Sequence, residues 1–371
     1  MRILYFSRDY TPHDYRFLSS LVETDHQIWY LRLERRSPQR EGRAIPEKIH
    51  IKNWKNLKEE FSYKNIPSYV RELKKIIKEI KPDIIHAGPV QSCAFLASLT
   101  GFRPLVTMSW GSDMLVDSEK NLFMKWITKY TLNRSSLLLG DCKAVLEKAQ
   151  EFGFQSGNFV QFPWGIDLNH FTPNKNEVMR ERRGWKKNFI ILSLRSWEPI
   201  YGVDVLVKAF SLAAKEQPDL RLFLLGNGSQ ASIIRSIIEK AGISEKVFFG
   251  GQVSQQDLPN YYHASDLFIS ASHSDGSSVS LMEALGCGLP SLVSDIPGNK
   301  EWIIPEENGW LFRDGDIFEL KEKILQIYDQ RHDLQKIKLN ARYQAEQKAN
   351  WNENFKKLLF SYKLARKKVK G

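Results

Sequence analysis

Short runs of consecutive apolar residues alternate along this chain with stretches in which apolar positions recur every three or four residues. Arg2–Ser7 reads as a first strand. Val70, Leu73, Ile76, Ile77 and Ile80 share one helical face, Lys81 and Pro82 stop that helix, and residues 83–86 follow as a short strand. Residues 105–109, behind Pro104, then Leu137–Gly140 and residues 158–162, continue the strand series of the first half. All are apolar on both faces, as in a parallel sheet covered by helices. The second half repeats the pattern, with strands expected at 189–194, Leu220–Leu225, 247–249, Leu267–Ser270 and 290–293, and helices at 203–214, 231–241, 258–264 and 279–285. Repeated strand–helix units specify a doubly wound α/β fold. Two such halves suit 371 residues. The seam is placed near 163–176, a stretch with two prolines and a glycine. The chain closes on an amphipathic helix with Trp351, Phe355, Leu358, Leu359, Tyr362 and Val369 on one face.

Composition narrows this picture. Apolar residues make up 42% and charged residues 26%, the balance of an ordinary globular protein. The net charge of +11 is concentrated: residues 32–58 hold nine basic and three acidic side chains, residues 351–371 seven and one, and the remainder is near neutral. A neutral body with two basic segments and no aromatic-interleaved recognition motif is not a nucleic-acid-binding pattern. Cys93, Cys142 and Cys287 are too few and too scattered for a disulfide framework. The N-terminal apolar run is too short for a signal segment. Residues 87–102, the longest apolar-rich stretch, fall short of a bilayer span and are expected to form a buried helix. A cytoplasmic chain without a membrane anchor is expected.

The chemistry concentrates in residues 270–290. A strand ends at Ser270; a loop then carries Asp275, Gly276, Ser277 and Ser278 before a helix begins near Val279. First-turn amides and the positive end of the helix dipole converge on such a loop and hold a phosphate without a cation. Glu283, a turn or so into that helix, can reach toward sugar hydroxyls. Spacing alone equally allows an ordinary strand–loop–helix with a capping serine and a solvated glutamate.

The stretch resembles the signature of family 4 retaining glycosyltransferases of GT-B fold: an acidic residue, seven positions, Glu-Ala, then Gly-x-Pro. Here it reads Asp275, then Glu283-Ala284, then Gly288-Leu289-Pro290, with Asp in place of the usual first Glu. Phe162 to Asp167 with Phe171 and Pro173 is similar to the family's inter-domain segment. Ser193-Leu194-Arg195 with Gly202-Val203-Asp204 is similar to the segment whose Arg and Lys grip the donor diphosphate. Arg195 matches the Arg, and Tyr201 stands where the Lys is usual. Leu225-Gly226-Asn227-Gly228 resembles the family's glycine loop, and the stretch from Phe249 through Gly251 to Val253 the segment that reads the base. In the first half, residues 82–87 match the family's PD..H strand, and Ser109-Trp110-Gly111-Ser112-Asp113 stands at its HG.D segment with Trp110 for His. The glycine-free loop from Asp9 to Arg16 stands at the acceptor side, which makes His13, Asp14 and Arg16 candidates there, with helix-capping or surface roles as their alternative; Trp110, Ser112 and Asp113 are further candidates on the acceptor or sugar side.

The resemblance implies GT-B architecture, two Rossmann-like parallel-sheet domains facing each other across a cleft. The N-terminal acceptor domain would span 1–165, the nucleotide-sugar domain 166–347, and a helix at about 348–371 would cross back onto the first. It implies metal-independent transfer of a sugar, with retention, from a UDP- or GDP-sugar to a glycan or lipid-linked acceptor in cell-surface polysaccharide or glycoconjugate synthesis. Asp275 and Arg195 would be catalytic. Glu283, Gly276, Ser277, Ser278, Val279, Gly226, Asn227, Gly251, Val253 and Tyr201 would bind the donor. No cofactor beyond the nucleotide-sugar co-substrate is expected. The basic segments, both assigned to the acceptor domain, suggest peripheral contact with an anionic membrane at the inner face of the cell membrane. The alternative is a non-transferring nucleotide-sugar-binding or epimerase-like member of the same superfamily. A dehydrogenase would need a glycine-rich first loop, which is absent.

Overall fold

The computed structural model describes residues 1–34, 41–55 and 60–370. Residues 35–40 and 56–59, which hold part of the first basic segment, lie outside the described residues, as does Gly371. The chain divides into two units, one of Met1–Pro163 with Asn352–Gly371, the other of Trp164–Trp351.

The first unit is a seven-stranded sheet of β1 (Arg2–Ser7), β2 (Gln27–Arg32), β3 (His50–Lys52), β4 (Ile84–Gly88), β5 (Leu105–Met108), β6 (Leu137–Gly140) and β7 (Phe159–Gln161). Its spatial order is β3-β2-β1-β4-β5-β6-β7, with every pairing parallel. The second unit holds β8 (Phe189–Ser193), β9 (Leu220–Leu225), β10 (Val247–Gly251), β11 (Leu267–Ser270), β12 (Ser291–Ser294) and β13 (Gly309–Phe312), in the order β10-β9-β8-β11-β12-β13, again all parallel. Both are doubly wound, and the pair is the GT-B fold. Each sheet reverses its direction of growth once, between β1 and β4 and between β8 and β11. Ligands of open α/β sheets bind beyond the carboxyl ends of the strands at that reversal.

Burial explains the unbroken apolar runs. Phe189 and Ile191 of β8 pack into one core cluster and Ile190 and Leu192 into another, so both faces of the strand are covered. Three strands, β2, β3 and β13, were not expected from the sequence. β3 has only three residues, at the sheet edge, with His50 and Ile51 exposed; β2 and β13 lie in stretches without clear periodicity. Residues 87–102 are not one helix: β4 continues to Gly88 because Phe6 and Thr107 flank Ala87 in register, and only Val90–Ala94 and Phe95–Leu99 coil, largely buried. The final helix, Trp351–Lys370, buries Leu358, Tyr362 and Ala365 in the first unit, and the Tyr362 hydroxyl meets buried His86 Nδ1 at 2.7 Å. Val369 is 45% exposed, since the last turn runs past the surface it packs on. Among the described residues no helix is long and apolar enough to cross a membrane.

Candidate active site

The loops after β8 and β11 meet at the reversal point of the second sheet. Arg195, two residues past β8, places Nη2 2.8 Å from Asp275 Oδ2, an ion pair with only 13% and 19% of the two side chains exposed. Its Nη1 donates to Ser278 Oγ at 3.1 Å and approaches Ser280 Oγ at 3.4 Å. Its Nε is buried without a hydrogen-bond partner among the described residues. Burial pushes the Asp275 carboxyl above its ordinary value, while Arg195, Ser278 and the Gly276 amide pull it back down. Ser278 precedes the helix Val279–Gly286, whose first-turn amides have no carbonyl partner within the helix. A cation, an unpaired guanidinium N–H and a helix start thus converge on one spot.

Backbone contacts fix the spot. Gly276 and Ser277 are buried. Trp302 Nε1 donates to Ser277 Oγ at 3.2 Å, and a Cβ on Gly298 would strike the carbonyls of Gly276 and Asp275, so that turn lies flat on the loop. Gly202 has φ 57°, and a side chain there would collide with the Ala271 carbonyl; at Gly226, φ 96°, a Cβ would lie 2.6 Å from Arg195 O, also too close. The Gly226 amide donates to Gly251 O at 2.6 Å, and Trp197 bridges the β8 and β9 loops through Leu225 O and Asn227 O. Val253 packs half-buried on the adjoining core. Gly226, Asn227, Gly251 and Val253 therefore belong to the same strand-end cluster as Arg195. The Tyr201 ring centroid lies 4.2 Å from the Arg195 guanidinium carbon. A neutral ring there supplies no charge but holds the cation that is present.

Glu283 sits deeper than the sequence suggests. It is 1% exposed; Oε2 accepts from the Tyr262 hydroxyl at 2.8 Å and Oε1 from the Gln255 amide at 3.1 Å. Burial, and then the carboxylate of Glu283, raise the Tyr262 phenol well above its ordinary value. Local motifs could not have disclosed Tyr262, Gln255 or Trp302, since they come from other elements.

The first unit's candidates divide. Asp14 is buried as a cap: it accepts from the Thr11 amide at 2.9 Å, the Thr11 hydroxyl at 2.6 Å and the Tyr5 hydroxyl at 3.0 Å. Asp113 is also buried, and takes the Val90, Trp110 and Met114 amides and the Ser109 hydroxyl. It ties the loop after β4 to the loop after β5. Both carboxylates are thus spent inside the fold, and for Asp14 that is the helix-capping alternative. His13 and Trp110 meet as a tilted ring pair with centroids 5.2 Å apart, Arg16 is half-buried, and Ser112 is exposed. Asp9, at the end of β1, is a group the sequence reading passed over. Its Oδ1 accepts from the Tyr10 amide at 2.7 Å, and its buried Oδ2 has no hydrogen-bond partner among the described residues. Among the described residues no three His, Cys, Asp or Glu side chains gather as a metal site would need.

Residues 175–348 match the family of glycosyl transferases group 1, and residues 2–141 match glycosyl transferase 4-like proteins. The GDP-mannose-dependent monoacylated alpha-(1-6)-phosphatidylinositol monomannoside mannosyltransferase of Corynebacterium glutamicum is 23% identical over 77% of this chain and 77% of its own length. Mannosylfructose-phosphate synthase of Agrobacterium fabrum is 29% identical over 39% of this chain, and the match spans 34% of that enzyme. The crystal structure of Anabaena HepE with UDP-glucose superposes with a TM-score of 0.81 at 19% identity, covering 97% of this chain and 99% of that one. At that identity the likeness establishes the fold alone.

Proposed function

We propose that this chain, a member of the group 1 glycosyltransferases, moves a sugar with retention of configuration from a UDP- or GDP-sugar to a glycan or lipid-linked acceptor in cell-surface polysaccharide or glycoconjugate synthesis. One observation carries the reading: the unpaired Arg195 Nε beside Asp275 at a helix start, at the reversal point of the second sheet. The leaving diphosphate gains negative charge as the glycosidic bond breaks. Arg195 and the first-turn amides of the helix Val279–Gly286 oppose that charge, and their fixed positions spare reorganisation at the moment of reaction. Asp275, held against Arg195, supports positive charge at the anomeric carbon. No metal takes part in this reading. Glu283, through Tyr262 and Gln255, fixes the wall beside the donor ribose. Acceptor chemistry falls to the first unit, near His13, Arg16 and Trp110. The protein works in the cytoplasm, in peripheral contact with an anionic membrane at its inner face.

Melting curves with UDP-glucose, GDP-mannose and ADP-glucose test the reading. A bound donor at a hundred times its Kd stabilises by about 2.7 kcal/mol. One nucleotide-sugar is expected to raise Tm, and Arg195→Ala to abolish the rise. No rise with any of the three, or a rise unchanged in Arg195→Ala, refutes it. Tyr201 in the place of a lysine favours one second reading, a nucleotide-sugar binder that does not transfer. Failure to release nucleotide while Tm still rises would select it.

A further inference from the structure

The helix Leu122–Arg134 of the first unit turns an unusual face to solvent. Its buried side is ordinary: Ile127, Thr128, Thr131 and Leu132 face inward. Outward, Leu122 is 85% exposed, Trp126 53% and Phe123 45%. At 100° per residue, Lys125 and Lys129 edge one side of this apolar strip, and Tyr130, Phe123 and Arg134 the other. The aromatics form a connected raft. Phe123 stacks with Trp126 at 6.3 Å, Trp126 lies 5.4 Å from Tyr130 and 5.9 Å from Phe95, and Tyr63 meets Phe123 edge-on at 5.4 Å. The Arg134 guanidinium covers Tyr130 at 3.8 Å.

The helix holds three basic residues and no acidic one. The nearest acids are compensated: Glu119 by Lys125 and Lys148, and Asp117 by Lys120. Lys129 has no ion-pair partner among the described residues. Exposed Leu, Phe and Trp beside Lys and Arg on one helix face match the membrane–water boundary, where apolar rings enter the acyl edge and cations meet lipid phosphates. A protein partner of acidic surface would satisfy the lysines but leave the raft in contact with charge. The two basic segments fit the lipid role less well. On the final helix Lys356 is paired with Glu353, Arg366 lies 3.5 Å from Asp83 and Lys368 is bonded to Gly157 O; Lys357, Lys363 and Lys367 are exposed around a single exposed ring, Phe360, where the helix Leu122–Arg134 presents a connected apolar strip; residues 35–40 and 56–59 lie outside the described residues.

We propose that the exposed face of the helix Leu122–Arg134 is the surface by which the first unit docks on an anionic phospholipid membrane, with Leu122, Phe123 and Trp126 inserted and Lys125, Lys129 and Arg134 at the headgroups. This deepens the membrane contact named above by giving it a connected apolar surface that the described residues of the final helix do not provide. It stands whether or not the chain transfers a sugar, because the test uses no donor.

The full chain is floated with vesicles of phosphatidylcholine alone and of phosphatidylcholine with roughly one third phosphatidylglycerol at low salt. Binding is expected only to the anionic vesicles and is weakened by salt. The double change Leu122→Glu with Trp126→Glu is expected to cut the bound fraction about tenfold or more. Both side chains are exposed, so the melting curve should stay within the normal range of surface changes. Lys357→Glu with Lys363→Glu, on the final helix, is expected to lower binding less than about twofold. The sequence holds ten tryptophans, so brominated lipid should quench part of the fluorescence in the wild type and less in Trp126→Phe. The proposal is overturned if the wild type ignores anionic vesicles, if Leu122→Glu with Trp126→Glu binds as before, or if the final-helix change abolishes binding instead. It is also overturned if light scattering shows that the Leu122→Glu, Trp126→Glu change splits a dimer, which would make the face a contact between copies.

Discussion

Replacing Glu283 separates two roles that look alike in the sequence. A solvent-facing ribose ligand could be cut to alanine with a stability change within about 0.5 kcal/mol. The structure makes a different demand. Glu283 is 1% exposed and its carboxylate takes one hydrogen bond from the Tyr262 hydroxyl at 2.8 Å and another from Gln255 at 3.1 Å. Hydrogen bonds to a charged group contribute about 1.5–3 kcal/mol each. Tyr262 keeps a second acceptor, Ser280 O at 3.1 Å, and half-buried Gln255 can turn to water, so part of the loss is recovered. Removing the buried charge also relieves its desolvation. The net expectation for Glu283→Ala is about 2–4 kcal/mol of destabilisation without ligand, a drop of roughly 5–12 °C for a unit of this size. Glu283→Gln, which keeps the shape and one acceptor, should cost about 1 kcal/mol. Scanning calorimetry with and without UDP-glucose and GDP-mannose reads both quantities: the ligand-free Tm reports the internal role and the ligand increment reports the donor. A ligand-free Tm for Glu283→Ala within about 1 °C of wild type would refute the internal role.

Two further outcomes follow from buried polar groups in the first unit. Asp113→Ala deprives the Val90 and Trp110 amides and the Ser109 hydroxyl of this acceptor and leaves the Met114 amide with Gly111 O alone, so a loss of about 3 kcal/mol or more is expected; hydrogen exchange should speed up at Val90 and Trp110, and unchanged protection there would count against the tie. Burial pushes His86 down to about 3, so between that pH and its unfolded value of 6.5 only the unfolded chain takes the proton. Stability should therefore fall as pH drops through this window, by up to about 1.4 kcal/mol per pH unit more in the wild type than in His86→Gln. Parallel unfolding curves from pH 4 to 6.5 in the two proteins would sink that assignment.

Which parts of this molecule are readable from sequence follows from how far each feature depends on near neighbours. Strand β1 and strands β6, β9 and β11 fall where the apolar runs place them, because a strand covered on both faces writes its burial into consecutive residues. The loop from Asp275 to Ser278 and the helix that follows were legible for the same reason: a strand end, a turn and a helix start are local, and the electrostatics of a helix start travel with them. Edge strand β3, three residues long, left no periodic trace.

The identity of each carboxylate's partners was decided by the tertiary fold alone. In the sequence Asp14 reads as a ligand or a helix cap, Asp113 as a ligand and Glu283 as a ligand or a solvated side chain, since a side chain's chemistry does not say which atoms lie within 3 Å of it. For Asp113 and Glu283 residues 20 or more positions away settled the matter, Val90 for the one and Tyr262 and Gln255 for the other, while Asp14 is held by Thr11 in its own turn and by Tyr5 of the neighbouring strand. The same holds for charge. The sequence located the basic segments, but only the structure showed that Lys356, Arg366 and Lys368 of the final helix are bonded within their own unit while the helix Leu122–Arg134 leaves Leu122, Phe123 and Trp126 in solvent beside Lys129. Sequence thus determined the two parallel sheets and the candidate loop at the end of one of them. The tertiary structure decided which charges are free to act, because pairing and burial depend on distance in space rather than along the chain.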